Sequence, residues 1–198
     1  GEGGIIEGAH EGLIYVDHSP IKPETARRVA EKLAGAGVQC LDAPVSGGDI
    51  GARAGTLAIM VGGPRETFDR VRPYFEATGK AITYVGESGA GQVAKACNQI
   101  MVAAQMVGMA ELLVLAQKSG VDPERVVAAT RGGAAQGWRV DNKPPRLFEG
   151  ERGPGFKAYM QHKDLGIVLD TARAYGVSLP MTAVNAQLYE AMLHNGMA

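Results

Sequence analysis

Residues 86–105 read GESGAGQVAKACNQIMVAAQ, and the chain changes character inside them. Before Gly86, apolar strand-like runs alternate with amphipathic helix patterns. After Ser88, the periodic segments repeat at three and four residues, the spacing of one helix face. Ser88 stands where a helix cap belongs, and the pattern runs on to Lys118. At ~1.5 Å rise per residue this predicts a single helix of roughly 45 Å. The helix is mostly small or apolar, yet it carries Lys95, with Asn98 and Gln99 one turn later. A boundary at Gly86 therefore divides an α/β part, 1–86, from an all-helical part, 87–198.

Upstream, the opening GEGGIIEGAHEG reads as loop and turn, and LIYVDHS (13–19) as a short strand. PETARRVAEKLAGAG (23–37) has proline at the first helical position and a glycine stop. VQCLDAPV (38–45) is a strand running into a glycine-rich loop, SGGDIGARAG (46–55). TLAIMVGG (56–63) is a strand. PRETFDRVRPYFEATG (64–79) is a helix with Pro73 as a point of bending or breakage, and AITYVG (81–86) is the last strand. Strands and helices alternating at this spacing predict an α/β layer with a largely parallel sheet. Downstream of the long helix, VDPERVVAATR (121–131) opens with the Asp122–Pro123 cap signature. A Gly-, Pro- and Asn-rich loop follows to about Gly155, and helices are expected at 158–175 and 180–194.

Composition narrows the function classes. Twenty basic and 21 acidic residues give a formal net charge of −1. No Lys/Arg block is present, so a nucleic-acid partner is not expected. Glycine is the outlier: 28 of 198 residues, about twice the usual ~7%. Such glycines either mark tight loops or let a ligand approach the backbone. The only cysteines, Cys40 and Cys97, sit in apolar patterns, which suggests two buried thiols rather than a disulfide. No metal-ligand spacing occurs among Cys and His, so no metal is expected. Polar residues interrupt the long helix and argue against a membrane span. No signal-peptide pattern is visible, and the expected compartment is the cytoplasm.

Three places can carry chemistry. Lys95 shares a helix face with Gly91, Asn98, Gln99 and Val102. An ammonium group there either faces a cleft or snorkels to solvent. PVSGGDIGARAGT (44–56) follows a strand end, where open α/β sheets hold ligands. The N–H groups of Ser46, Gly47 and Gly48 can cradle a carboxylate there, or the segment is a plain loop. HKDL (162–165) places Lys163 beside Asp164 in a helical pattern, where a simple surface ion pair is the competing explanation. No Gly-x-Gly-x-x-Gly opens a strand–turn–helix unit, and GESGAG (86–91) matches it only loosely.

Four segments in order resemble the β-hydroxyacid dehydrogenases, the group of 3-hydroxyisobutyrate dehydrogenase and tartronate semialdehyde reductase. They are VDHSPIKPE (16–24), DAPVSGGDIGARAGTL (42–57), GESGAGQVAKACNQ (86–99) and GFKAYMQHKDL (155–165). The resemblance runs over essentially the whole chain. It implies a partial Rossmann-like domain over 1–86, followed by a helical substrate and dimerisation domain built around one long helix. It implies NAD or NADP as cofactor and a small hydroxyacid or semialdehyde as substrate. It implies Lys95 as the catalytic acid, with Ser46, Gly47, Gly48, Asn98 and Gln99 on the substrate. Ser19 and Lys163 are implied on the cofactor, and a homo-dimer or homo-tetramer as the assembly.

Two details are similar to the tartronate semialdehyde branch. Asn98-Gln99 stands where 3-hydroxyisobutyrate enzymes usually carry Asn-Asn. TRGGAAQGWRVDNKPP (130–145) is like that branch's R-G-G-x-A-x-S segment, with Gly137 in place of the serine. One motif departs: D-x-S-[ST] reads Asp17-His18-Ser19-Pro20, so a hydroxyl near the cofactor is lost. The resemblance further implies that the family's glycine-rich pyrophosphate half precedes these residues, and that this stretch alone binds dinucleotide poorly. A non-catalytic reading also fits, a dimerisation module using the small residues Ala103, Ala104, Gly108 and Ala110. An imine-reducing relative fits less well because Lys95 is retained. A phosphogluconate-type relative needs phosphate ligands and a longer helical domain.

Overall fold

A computed structural model describes residues 4–151 and 153–197. It divides into two compact units, Gly1–Asn98 with Gly166–Ser178, and Gln99–Leu165 with Leu179–Ala198. The dividing point on the first pass is inside the long helix, twelve residues beyond the last strand residue, Gly86.

The first unit is built on a five-stranded sheet. β1 (Ile14–Asp17) and β2 (Gln39–Asp42) are parallel, as are β4 (Leu57–Gly62) and β5 (Gly79–Gly86). β2 meets β4 antiparallel only at Asp42 opposite Gly62, and the two-residue β3 (Val45–Ser46) continues that antiparallel pairing at Ile59 and Ala58. The sheet is thus mostly parallel. Connection by helices follows, since parallel neighbours need a crossover. α1 (Pro23–Ala34) joins β1 to β2 and α3 (Arg65–Glu76) joins β4 to β5. Leu41, Ile59 and Val61 from the sheet, with Ala43 just after β2, pack with Phe68, Val71 and Phe75 of α3. The i, i+3, i+7 spacing of those three α3 residues puts them on one stripe. α3 runs through Pro73 without a break.

The glycine-rich segment expected to be loop contains a helix, α2 (Gly48–Ala54). It is short and bracketed by glycines. Gly55 ends it with φ +63°, the left-handed conformation that closes many helices. Gly51 is buried close to the Leu57 side chain, so tertiary contact outweighs a poor helix-forming composition.

After β5, the described elements are helical. α4 (Ala90–Lys118) is one helix of 29 residues. The expectation that no segment reaches membrane length needs correction. By length and composition alone α4 is long and apolar enough, with a mean hydropathy of 1.7 over its most apolar 18 residues. Scattered single polar side chains do not lower that mean enough. Cys97 on this helix is exposed, not buried as its apolar neighbours suggested, while Cys40 is buried. A helix has an outer face even in an apolar run, and position 97 lies on it.

The second unit holds α5 (Pro123–Arg131), capped by the Asp122 side chain, which accepts from Glu124 N. Next comes an unexpected helix, α6 (Trp138–Phe148), containing Pro144 and Pro145. Each proline removes a helix N–H. The carbonyl of Asp141, four residues before Pro145, instead accepts from the Arg131 guanidinium at 2.7 Å. A distant side chain thus replaces the lost donor, which the local sequence does not reveal. α7 (Ala158–Ala174) runs from the second unit into the first, and α8 (Pro180–His194) lies in the second.

Candidate active site

In the first unit, the carboxyl ends of parallel β1 and β2 lie side by side, Asp17 opposite Asp42. That is where open α/β sheets present ligands. Beyond β1, the chain turns through His18 and Ser19. Ser19 N donates to Asp17 Oδ1 at 2.8 Å, and the His18 ring is 2.6 Å from the Ala43 carbonyl through Nδ1. The Ser19 side chain is exposed.

The start of α4 is tied to this edge by two buried polar residues. Asp42 is 4% exposed. Its Oδ1 accepts from Gly89 N at 2.7 Å and its Oδ2 from Gln92 N at 2.9 Å. A carboxylate at the amino end of a helix satisfies N–H groups that have no intrahelical partner. Burial pushes the Asp42 carboxyl up from its ordinary range, and the backbone N–H bonds, from Gly89 first, oppose that shift. Gln92 is 1% exposed. Its side-chain Oε1 accepts from Ile21 N at 3.1 Å and its Nε2 donates to the Ser19 carbonyl at 2.8 Å. One amide thus fastens the Ser19 turn to α4, three residues before Lys95.

Gly91 explains part of the glycine excess. A Cβ there would lie 2.6 Å from the Asp42 carbonyl oxygen and would also press on the Met60 carbonyl. Only a residue without a side chain lets the helix lie this close to the strand ends.

Lys95 and Asn98 are half-buried on α4. Ser46 ends β3 opposite Ala58. Gly47, at φ +138°, precedes α2, and Gly48 opens it. These residues all belong to the first unit. Gln99 and Lys163 belong to the second. There, Gln99 is 3% exposed and donates through Nε2 to Asp164 Oδ2 at 2.5 Å. Lys163 Nζ is 2.9 Å from Asp164 Oδ1. The HKDL pair is therefore not a plain surface ion pair. Lys163 is half exposed, but Asp164 is buried at 3% and shared with Gln99. Among the described residues, no group of three or more His, Cys, Asp or Glu could hold a metal ion.

Reading the sequence singled out neither Asp42 nor Gln92. The available signal was polarity in the wrong place: a carboxylate ending an apolar strand, and an amide in the first turn of an apolar helix. Their meeting, 50 positions apart, is a product of the fold.

The chain as a whole has counterparts among known proteins. Residues 1–86 match the family model described as the NAD binding domain of 6-phosphogluconate dehydrogenase. Residues 89–198 match that described as NAD-binding of NADP-dependent 3-hydroxyisobutyrate dehydrogenase. The chain is 45% identical over 198 residues to an uncharacterized oxidoreductase, YkwC, of Bacillus subtilis, covering 99% of this chain and 68% of that protein. It is 43% identical over 196 residues to 2-hydroxy-3-oxopropionate reductase of Escherichia coli, covering 99% and 67%. A solved structure of Mycobacterium tuberculosis 3-hydroxyisobutyrate dehydrogenase with L-serine superposes with a TM-score of 0.89 at 34% identity, covering 97% of this chain and 68% of that one. The chain thus spans about two thirds of the length of these proteins. The sheet, the long helix and these matches together place the chain in the β-hydroxyacid dehydrogenase family, the NAD- or NADP-dependent oxidoreductases that include 3-hydroxyisobutyrate dehydrogenase.

Proposed function

We propose that the protein carrying this chain reduces tartronate semialdehyde (2-hydroxy-3-oxopropionate) to glycerate, with Lys95 as the general acid. The observation that carries this reading is the anchoring of the Lys95 helix. Gln92, three residues earlier, holds the Ser19 turn at the carboxyl end of β1, and Asp42 fixes the same helix start. A lysine carried on a helix start fixed in this way has the preorganisation that proton transfer needs.

One residue of the chain is placed to meet part of a dinucleotide, whose pyrophosphate the resemblance assigns elsewhere. The N–H and carbonyl of Ser19 are already committed to Asp17 and Gln92, which leaves its exposed hydroxyl presented at the strand ends. Ser19 and Lys163 are assigned to the cofactor, and a bound reduced nicotinamide supplies the hydride. As the aldehyde carbon becomes an alcohol, negative charge grows on its oxygen. The Lys95 ammonium stabilises that charge and donates the proton. Ser46, Gly47 and Gly48 hold the substrate carboxylate and Asn98 orients Lys95 or the hydroxyl; Gln99 is also assigned to the substrate.

Residues 1–86 serve as the carboxyl-terminal part of the cofactor domain, and 87–198 as the substrate and dimerisation domain. A homo-dimer or homo-tetramer in the cytoplasm is the proposed working form. The substrate choice draws on Gln99, the 130–145 segment and the similarity to 2-hydroxy-3-oxopropionate reductase. It is tested by comparing kcat/KM of the whole protein for tartronate semialdehyde reduction and for 3-hydroxyisobutyrate oxidation. The two couples differ at C2 by hydroxyl against methyl, groups of similar size, and a pocket that separates them by packing alone gains only ~1–3 kcal/mol, a preference of roughly 10- to 200-fold. Preference for 3-hydroxyisobutyrate would reverse the assignment.

A further inference from the structure

His18 stands directly after β1, between Asp17 and Ser19, and is exposed there. Its ring is nonetheless held from two sides. Nδ1 lies 2.6 Å from the Ala43 carbonyl, and the ring meets Phe75 edge-on with centroids 6.0 Å apart. Ala43 is fully buried, and its N–H donates to the Asp17 carbonyl at 2.8 Å. All four residues belong to the first unit. An imidazole is thereby fixed at the same end of the sheet as Ser19 before any ligand arrives.

The bond to Ala43 also fixes the chemistry of the ring. A carbonyl oxygen only accepts, so Nδ1 carries the hydrogen. In the neutral ring, Nε2 then holds a lone pair and acts as an acceptor. Among the described residues, nothing bonds to Nε2. Pro20, two residues on, offers a ligand neither a side-chain hydroxyl nor a backbone N–H. A held acceptor, open to solvent at parallel strand ends, suits a ligand group that carries N–H or O–H. The nicotinamide riboside half of NAD or NADP presents both, a carboxamide NH2 and ribose hydroxyls. We infer that His18 is a further cofactor-binding residue, whose Nε2 accepts a hydrogen bond from that half. Because the ring is already held, little side-chain freedom is lost on binding. The inference rests on the cofactor reading of the β1 end proposed above.

Fluorescence titration of NADH and NADPH into the whole protein tests it without turnover. His18→Asn keeps a donor where Nδ1 stands and removes the acceptor. Its thermal midpoint should stay near that of wild type, while the cofactor Kd rises about three- to tenfold, the loss of one hydrogen bond. His18→Phe removes both groups and orphans the buried Ala43 carbonyl, so it should lower the thermal midpoint as well. In ¹⁵N-histidine spectra, the resonances that His18→Asn deletes should show Nδ1 protonated and Nε2 bare, and cofactor should shift the Nε2 signal. The 3-acetylpyridine analogue of the cofactor lacks the carboxamide NH2 and identifies the donor. A His18→Asn penalty that vanishes with the analogue assigns the carboxamide, and one that persists assigns a ribose hydroxyl. An unchanged Kd in His18→Asn, or an Nε2 signal that cofactor leaves in place, would overturn the inference while the cofactor reading stands. A wild type that binds neither dinucleotide would overturn both.

Discussion

Replacing Gln92 by leucine removes a side-chain amide of similar size that makes two hydrogen bonds at once. Ile21 N loses its acceptor at 3.1 Å and the Ser19 carbonyl loses its donor at 2.8 Å. An orphaned buried polar group costs roughly 1–3 kcal/mol. Both backbone groups sit at a half-buried edge that water partly reaches, so the low end applies to each, about 2 kcal/mol in total. Glutamate is the sharper probe. Its carboxylate still accepts from Ile21 N, but it cannot donate to Ser19 and carries charge at a position only 1% exposed. Burial raises that carboxyl's folded-state pKa above its unfolded value. The folded protein then binds the proton more tightly, so the deficit grows as pH rises through the folded pKa and shrinks as pH falls. The assay is urea unfolding of wild type, Gln92→Leu and Gln92→Glu in the whole protein across pH, with nicotinamide affinity measured beside it. The Ser19 turn should loosen and cofactor affinity fall in both variants. A Gln92→Leu protein within 0.5 kcal/mol of wild type, or a Gln92→Glu deficit that deepens toward acid, would refute the reasoning.

Gly91→Ala presses a methyl group onto the carbonyls of Asp42 and Met60, which cannot move without the sheet. It should cost about 3 kcal/mol or prevent folding, as read by soluble yield and urea midpoint. The two thiols should separate in a reagent titration at pH 8. Cys97 is exposed and should react readily, whereas Cys40, pushed up to about 11 first by burial and then by the Asp42 and Asp17 charges, should wait for unfolding. Because the folded Cys40 keeps its proton above its ordinary 9.0, its contribution is intact below that pH and is lost as pH rises toward 11. Urea midpoints at pH 8 and pH 10.5 should show that loss, and Cys40→Ala should show less of it.

The periodic elements were legible because their period is local. α1, α3 and α8 each begin at a proline or directly after one, and α1 and α3 each carry an apolar stripe. The change at Gly86 follows from the loss of strand-like alternation. α2 and α6 were not legible because both violate helix composition and are maintained from outside, α2 by its packing on Leu57 and α6 by the Arg131 guanidinium on the Asp141 carbonyl. Within the candidate site, Lys95 stood out as a charge in a mostly apolar helix. Asp42 and Gln92 did not, since their partners are 47 to 73 positions away. Buried Asp164 was hidden for a similar reason: next to Lys163 it looked like half of a surface pair, and its bond to Gln99 spans 65 positions.

The most direct test of the catalytic assignment is kcat of Lys95→Ala in the whole protein, with fold and nicotinamide binding followed in the same samples. Removing a general acid lowers kcat about 10²- to 10⁴-fold. The thermal midpoint and cofactor affinity should stay near those of wild type, because the bonds from Asp42 and Gln92 that fix the helix start do not involve the lysine side chain. A folded, cofactor-binding Lys95→Ala protein with near-normal kcat would contradict the role of Lys95 as proton donor.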